Sequence, residues 1–319
     1  MEAGRTSRLA ALSALPTVPA VSDDLGKRIL KDVSRSFYLT LRPLPGEMRE
    51  AAGLGYLLAR TSDTIADTEG VAVGERLSLL GAFAASVAEG GALPVWPERL
   101  LAAATRGEAE MLARAAEILG WLGRIDARQA ELVREVVATI ISGQKLDLTR
   151  FADADGSHPV AIAGAADLED YTWRVAGCVG AFWTKLGFLT LGAAYSSAGE
   201  KELLERGIAY GQGLQLVNIL RDLPEDLANG RCYLPVADPS DPEALMGEYG
   251  FWHRKAVEWV GEGIGYASTL RSRRLRAATV LPALLAEETL GLLDGKMVRG
   301  KIKVPRRTVY RLLAESLFF

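Results

Sequence analysis

Two stretches of this sequence place carboxylates where an apolar helix ordinarily has none. One runs from Tyr56 to Asp67, the other from Gln215 to Asp226. At 100° per residue, Tyr56, Arg60, Asp63 and Asp67 fall within about 60° of one another on one helix face. Gln215, Asn218, Asp222 and Asp226 repeat the format. Each stripe ends in two Asp four residues apart, about 6 Å along the axis. Such pairs repel and are poor helix formers in an interior. A single DxxxD is most simply a solvated face. Two copies, each preceded by polar residues on the same face of an apolar segment, point to a shared task. Facing carboxylate pairs suit Mg²⁺, which takes oxygen ligands and is commonly shared with substrate phosphates. Mg²⁺ makes a diphosphate a better leaving group, and Arg side chains complete the clamp. Arg35, Arg60, Arg221 and Arg231 are the candidate clamps. A surface salt bridge competes as the explanation for each of them, most strongly for Arg221.

The rest of the composition narrows the chemistry. The chain has 319 residues, with 40 Asp+Glu against 37 Lys+Arg and a net charge of −3. That balance argues against nucleic-acid binding through bulk positive charge. The two Cys, Cys178 and Cys232, exclude a disulfide framework and fit a reduced, cytoplasmic setting. His158 and His253 are the only two His, which excludes His-rich zinc chemistry and leaves a hard cation on carboxylates. There is no P-loop. Hydrophobic residues make up 49%, enough for a packed globular protein.

The elements that must carry the stripes are helical almost throughout. Apolar spacing predicts helices over 23–35, 44–66, 73–89, 98–121, 126–150, 167–197, 199–229, 242–270, 273–295 and 305–317. Turn residues cluster at 67–70, 89–91, 153–159 and 238–242. The connections are short and carry no Ser/Gly linker, so the expectation is an all-α, single helical domain over 23–319 around one core or cavity. Residues 1–22, with Arg5, Arg8 and Pro16, read as a loose N-terminal arm rather than a signal peptide. No uncharged apolar run of about 18 residues is evident, and the closest, 175–198, is split by Lys185. Four Gly lie inside a predicted helix, at 177, 180, 187 and 192, which close packing or backbone approach to a ligand must offset.

Four segments together resemble the squalene/phytoene synthase family, in the family order and with similar spacing. They are Ser34-Arg35-Ser36-Phe37, the stretch from Tyr56 to Asp67, the stretch from Tyr171 to Gly180 (YTWRVAGCVG), and Gln215 to Pro235 (QLVNILRDLPEDLANGRCYLP). The resemblance covers about 24–310. It implies an isoprenoid synthase fold with a central cavity and head-to-head condensation of two prenyl diphosphates. It also implies Mg²⁺ on Asp63 and Asp67 of the first motif and on Asp222 and Asp226 of the second. Arg35, Ser36, Phe37, Tyr56 and Arg60 match the part of the family pattern near the diphosphate. Gln215, Asn218 and Arg221 match positions lining the same site, with Arg231 as a further clamp. Tyr171 matches a Tyr implicated in the first half-reaction.

Within the family, Thr64 gives the first motif the form DTxxD, which resembles squalene synthases, whereas many phytoene synthases resemble DDxxD. The segment from Arg299 to Arg307 resembles the stretch of squalene synthases that contacts NADPH phosphate. Lys303 aligns with a basic position there, Pro305 replaces a second, and Arg306 or Arg307 is the candidate substitute. A basic turn before a last helix also serves solubility. The resemblance therefore implies two farnesyl diphosphates joined through presqualene diphosphate and reduced by NADPH to squalene. Phe37, Phe182, Phe188, Leu189 and Leu216 are candidate cavity linings, with ordinary core packing as the competing role. A water-insoluble product further implies peripheral membrane contact. Phytoene or dehydrosqualene synthase, and a presqualene diphosphate synthase of a split hopanoid pathway, stay open as alternatives. A catalytically dead assembly-factor relative is a further one, though all four Asp are intact. Pro224 lies between Asp222 and Asp226 and predicts either a kink or a fresh helix start, which puts their i, i+4 relation in doubt.

Overall fold

A computed structural model describes residues 28–34, 37–293 and 302–319. Among them the chain is all-α apart from one two-residue strand pair. Two short helices, α1 (Leu30–Ser34) and α2 (Phe37–Leu41), lead into α3 (Gly46–Asp67) and α4 (Val73–Glu89). Then come α5 (Glu98–Ala103), α6 (Arg106–Ala113), α7 (Ala115–Trp121) and the long α8 (Ala127–Arg150). A second half holds α9 (Ala165–Thr172), α10 (Cys178–Leu191), α11 (Glu200–Ala228), α12 (Pro242–Thr269), α13 (Arg273–Leu293) and α14 (Arg306–Ser316). Strand β1 (Val160–Ala161) pairs in parallel with β2 (Arg231–Cys232). The arm expected over 1–22, together with Arg35 and Ser36, lies outside the described residues.

Local chemistry explains the helix ends. Asp126 caps α8 by accepting from the Arg128 and Gln129 amides, at 3.0 and 3.2 Å. Asp241 does the same for α12, with Pro242 in the first turn. The single helix expected over 98–121 is instead three, α5 to α7. Thr105 and Glu108 form a capping box that restarts the chain there.

The helix expected over 167–197 is also interrupted. Residues Trp173–Gly177 form a π-helical turn between α9 and α10, a feature frequent at functional sites. The combined run Ala165–Ala194 is long and apolar enough to cross a membrane by length and composition, with mean hydropathy 1.3, although Lys185 interrupts it as expected. It packs instead against α8 and α11. Glycine makes that contact close. A Cβ on Gly180 would stand 1.8 Å from the Gly207 carbonyl oxygen, and one on Gly211 would stand 2.3 Å from that of Ala176. Close packing thus accounts for Gly180.

Pro224 does not break α11, which runs through it to Ala228. The core forms two clusters. One centres on α3, α4, α8 and the start of α10, the other on α11, α12 and α13. Helix α3 packs on α8, α8 on the π-helical turn, and that turn on α11. The two acidic stripes are thereby held on either side of a shared interior.

Candidate active site

A polar cavity of about 410 Å³ opens where α3, α8, the π-helical turn, α11 and β2 converge. Its lining includes Asp63, Asp67, Glu69, Arg76, Gln144, Asp147, Tyr171, Val175, Gln215 and Arg231. Four carboxylates thus face two guanidiniums. Beside it lies an apolar cavity of about 200 Å³, walled by Val175, Val179, Trp183, Leu214 and the glycine contact of α10 with α11. Val175 borders both chambers. The π-helical turn therefore forms the wall between a charged compartment and an apolar one.

Asp63 accepts from Gln144 Nε2 at 2.6 Å and lies 3.9 Å from Arg60. Its side chain keeps 42% of its surface open, but that surface faces the cavity rather than bulk water. Burial, reinforced by the neighbouring Asp67 charge, pushes its carboxyl up to about 7. Burial also raises Asp67. Asp147, on α8, is pushed up to about 6 by burial against the opposing hydrogen bond from Tyr233. Asp226 rises to about 6 for the same reason, with Arg231 opposing at 3.4 Å. Tyr171 is buried, and its hydroxyl is held well above the ordinary range by burial and then by Asp147.

Several buried polar atoms around this cavity have no partner among the described residues: Asp147 Oδ1, Gln144 Oε1 and Arg231 Nε in its wall, and Arg60 Nε at its edge. Buried groups of this kind ordinarily find partners. Unpaired oxygens suit a hard cation, and unpaired guanidinium N–H groups suit an anion. Among the described residues no three carboxylates sit close enough to cage a metal.

The expected residues are distributed unevenly. Asp63, Asp67, Tyr171, Gln215 and Arg231 line the cavity, and Asp226 reaches it through Arg231. Asp222 turns to Arg221, with contacts of 2.8 and 2.5 Å, and neither lines the cavity. Asn218 is exposed and donates weakly to Gln215 Oε1 at 3.5 Å. Arg60 is held at 2.6 Å by Glu108, whose other oxygen serves the α6 capping box. Tyr56 bonds the Val33 carbonyl at 3.2 Å and ties α3 to α1. Phe37 opens α2. Lys303 and Arg306 are exposed and border neither chamber. Of the suggested linings, Phe182 and Leu216 are core, Phe188 packs on Tyr195, and Leu189 faces a separate surface pocket.

Sequence reasoning missed Gln144, Asp147 and Arg76. A signal for the first two exists. The buried stripe of α8 runs through Val133, Val137 and Ile140 and continues at helical spacing into Gln144 and Asp147. Polar residues at the end of an apolar stripe mark a wall that faces something other than core.

Residue Gly230 and the strand pair place Arg231. Gly230 takes φ +79°, and a Cβ there would stand 2.2 Å from the Asp155 carbonyl oxygen. The Val160 amide then donates to the Gly230 carbonyl at 2.8 Å, which pins β2 beside the cavity.

A family model described as squalene/phytoene synthase matches residues 30–308. A squalene synthase from Eremothecium gossypii is 27% identical over 314 residues, covering 92% of this chain and 67% of that protein. A presqualene diphosphate synthase from Zymomonas mobilis is 29% identical over 286 residues, covering 86% and 84%. A solved structure, TcSQS in complex with the ligand BPH1237, superposes with a TM-score of 0.72 at 23% identity, covering 92% of this chain and 86% of that one. This last likeness speaks to the fold alone.

Proposed function

We propose that this chain, which belongs to the squalene/phytoene synthase family, joins two farnesyl diphosphates head to head through presqualene diphosphate. The observation that carries the reading is the pair of chambers meeting at Val175. A prenyl diphosphate has a charged head and a long apolar tail, and the two compartments match those two parts.

The chain's residues divide the work accordingly. Arg231 and Arg76, with Arg60 at the rim, bind diphosphate oxygens by charge-assisted bonds. Asp63, Asp67 and Asp226 are the proposed holders of Mg²⁺, with Asp147 in reach of the same chamber and Asp222 joining once it leaves Arg221. When bound, Mg²⁺ supplies charge neutralisation of the departing diphosphate. The apolar chamber keeps water from the allylic cation, which water would trap as an alcohol. The alkene of the second substrate attacks that cation. Loss of a proton to the released diphosphate then closes the cyclopropane, and Tyr171, in the wall of the polar chamber, is placed to assist that transfer.

Reduction to squalene by NADPH is the finer form of the proposal. It rests on the resemblance of the segment from Arg299 to Arg307, part of which, 299–301, lies outside the described residues. A second reading stops at presqualene diphosphate. It is favoured by the fuller coverage of the Zymomonas relative. Incubation with farnesyl diphosphate and Mg²⁺, with and without NADPH, separates the two. Squalene formed only with NADPH supports the first. Presqualene diphosphate regardless of NADPH supports the second. Phytoene from geranylgeranyl diphosphate as the preferred reaction overturns the substrate assignment.

A further inference from the structure

The apolar chamber has a direction. Along one wall Val175, Val179 and Trp183 follow one another at one-turn spacing. Along the facing wall Leu214, Gly211 and Gly207 run the opposite way. Val175 and Gln215, the neighbour of Leu214, also line the polar chamber, so this end lies beside the charged head of a substrate. Gly180 meets the Gly207 carbonyl further in, and Trp183 stands nearly a turn beyond that contact. From Val175 to Trp183 the helical run advances about 12 Å, at about 1.5 Å per residue. An extended C15 tail has twelve main-chain carbons and spans about 14 Å, at about 1.25 Å of advance per C–C bond. A C20 tail needs about 5 Å more. With C1 at the mouth, a C15 tail ends at the Trp183 indole and a C20 tail runs into it.

Trp183 is held there by packing alone. It lies against the core cluster centred on α3, α4 and α8, and its buried Nε1 has no partner among the described residues. Behind it the structure is tied shut. The next residue on that face, Gly187, gives up its side-chain space to the Tyr195 ring, which lies 2.2 Å from where a Cβ would stand. The Tyr195 hydroxyl is 2.7 Å from that of Tyr266, which is 2.9 Å from Thr184 Oγ1. Tyr266 also lines the chamber. Trp183 is thus a plug in front of a hydrogen-bonded block. Its indole has nine ring atoms against five carbons in an isoprene unit, so its loss frees room for one more unit. While the indole is present, a further unit overpacks the chamber, and a clash of this kind rejects the longer substrate.

We infer that Trp183 sets the length of prenyl tail this chamber accepts, admitting three isoprene units and excluding a fourth. The inference rests on the head-to-head reading given above and adds the residue that measures one of its two substrates. Trp183 meets the far end of the tail, not the reacting carbons, so its size leaves the chemistry of the joining unchanged.

The test is an internal competition. Parent, Trp183→Phe, Trp183→Leu and Leu214→Ala chains each receive an equimolar mixture of farnesyl and geranylgeranyl diphosphate with Mg²⁺. C30, C35 and C40 products are resolved by mass, and thermal melts are recorded alongside. The C35-to-C30 ratio is read within one reaction, so loss of folded or active protein cancels from it. The parent is expected to make C30 product with little C35. Trp183→Leu is expected to raise the ratio about 10-fold or more, and Trp183→Phe by less, in the order of space vacated. C35 rather than C40 is the expected new product, because the chamber receives one tail. Leu214→Ala removes volume at the mouth and is expected to leave the ratio within about 2-fold. An unchanged ratio in Trp183→Leu overturns the proposal. So does an equal rise in Leu214→Ala, or a parent that already forms C35 or C40 as readily as C30. A parent that joins neither substrate overturns the head-to-head reading and this inference with it. An active parent with an indifferent Trp183→Leu overturns the length assignment alone. Should Trp183→Leu melt too low to assay, Trp183→Phe decides the question.

Discussion

Asp63 and Asp222 occupy matching places in stripes of nearly identical spacing, yet the protein surrounds them in opposite ways. Asp63 faces the chamber with Gln144 as its close partner and an arginine no nearer than 3.9 Å. Asp222 is already neutralised by the adjacent Arg221 at 2.5 Å, on a part-exposed face of α11. On the proposed reading, the first stripe is the preorganised, charge-deficient half-site that gains most from a cation. The second stores its charge in local ion pairs, Asp222 with Arg221 and Asp226 with Arg231, and must exchange them to take part. Repeated spacing on two helices therefore does not mean equivalent roles before substrate arrives.

The largest expected effect breaks the first half-site. Asp63→Asn keeps the Gln144 hydrogen bond and removes the charge, so consumption of farnesyl diphosphate should fall on the order of 1,000-fold or more. Near-normal turnover of that variant in a Mg²⁺-dependent assay contradicts the metal-site argument.

A smaller effect separates the stripes without catalysis. A carboxyl whose folded pKa exceeds its unfolded value binds more protons when folded, so stability falls as pH rises between the two. For Asp63 that interval runs from 3.8 to about 7. Thermal melts in chelator are expected to show a decline across this window that Asp63→Asn flattens. Asp222→Asn should shift stability by less than about 1 kcal/mol, as for an exposed pair. Added Mg²⁺ should raise the melting temperature more near pH 8 than near pH 5, because its carboxylate ligands must be ionised. Identical slopes for parent and Asp63→Asn contradict the charge-deficient description.

The smallest effect concerns Pro224. The helix runs through it, so the carbonyl of Leu220 lacks its usual amide donor there. Pro224→Ala restores a donor and is expected to raise stability by about 1 kcal/mol, partly offset by greater freedom of the unfolded chain. Turnover should change little if Asp226 is positioned by Arg231 rather than by a proline-induced bend.

Helical spacing alone located most of the architecture. The expectation of 73–89 coincides with α4, and those of 126–150 and 242–270 agree with α8 and α12 to within a residue. It failed where local polar chemistry overrode periodicity. The capping box of Thr105 and Glu108 splits 98–121 although the apolar pattern continues across it. The π-helical turn at Trp173–Gly177 leaves no break in composition, since it is an extra residue per turn rather than a change of residue type. Of the expected residues that line the polar cavity, Asp63, Asp67 and Gln215 stand out as polar stripes in apolar helices, Arg231 as a candidate clamp, and Tyr171 through the family resemblance alone. Asp147 and Tyr233 were not assigned to the site: Asp147 ends the apolar stripe of α8, Tyr233 lies within the Gln215–Pro235 segment with no role of its own, and the two come together beside Tyr171 only through the fold.

The central claim is coupling: the chamber pairs two allylic diphosphates before the cation meets water. The most direct measurement follows ¹⁴C-labelled farnesyl diphosphate with Mg²⁺ and no reductant, and asks whether the label ends in C30 or C15 products. The account predicts that the label accumulates in a C30 product, presqualene diphosphate foremost, and that this is lost in Asp63→Asn. Label recovered as farnesol or a C15 hydrocarbon contradicts it, because the cation would then have been quenched without a partner.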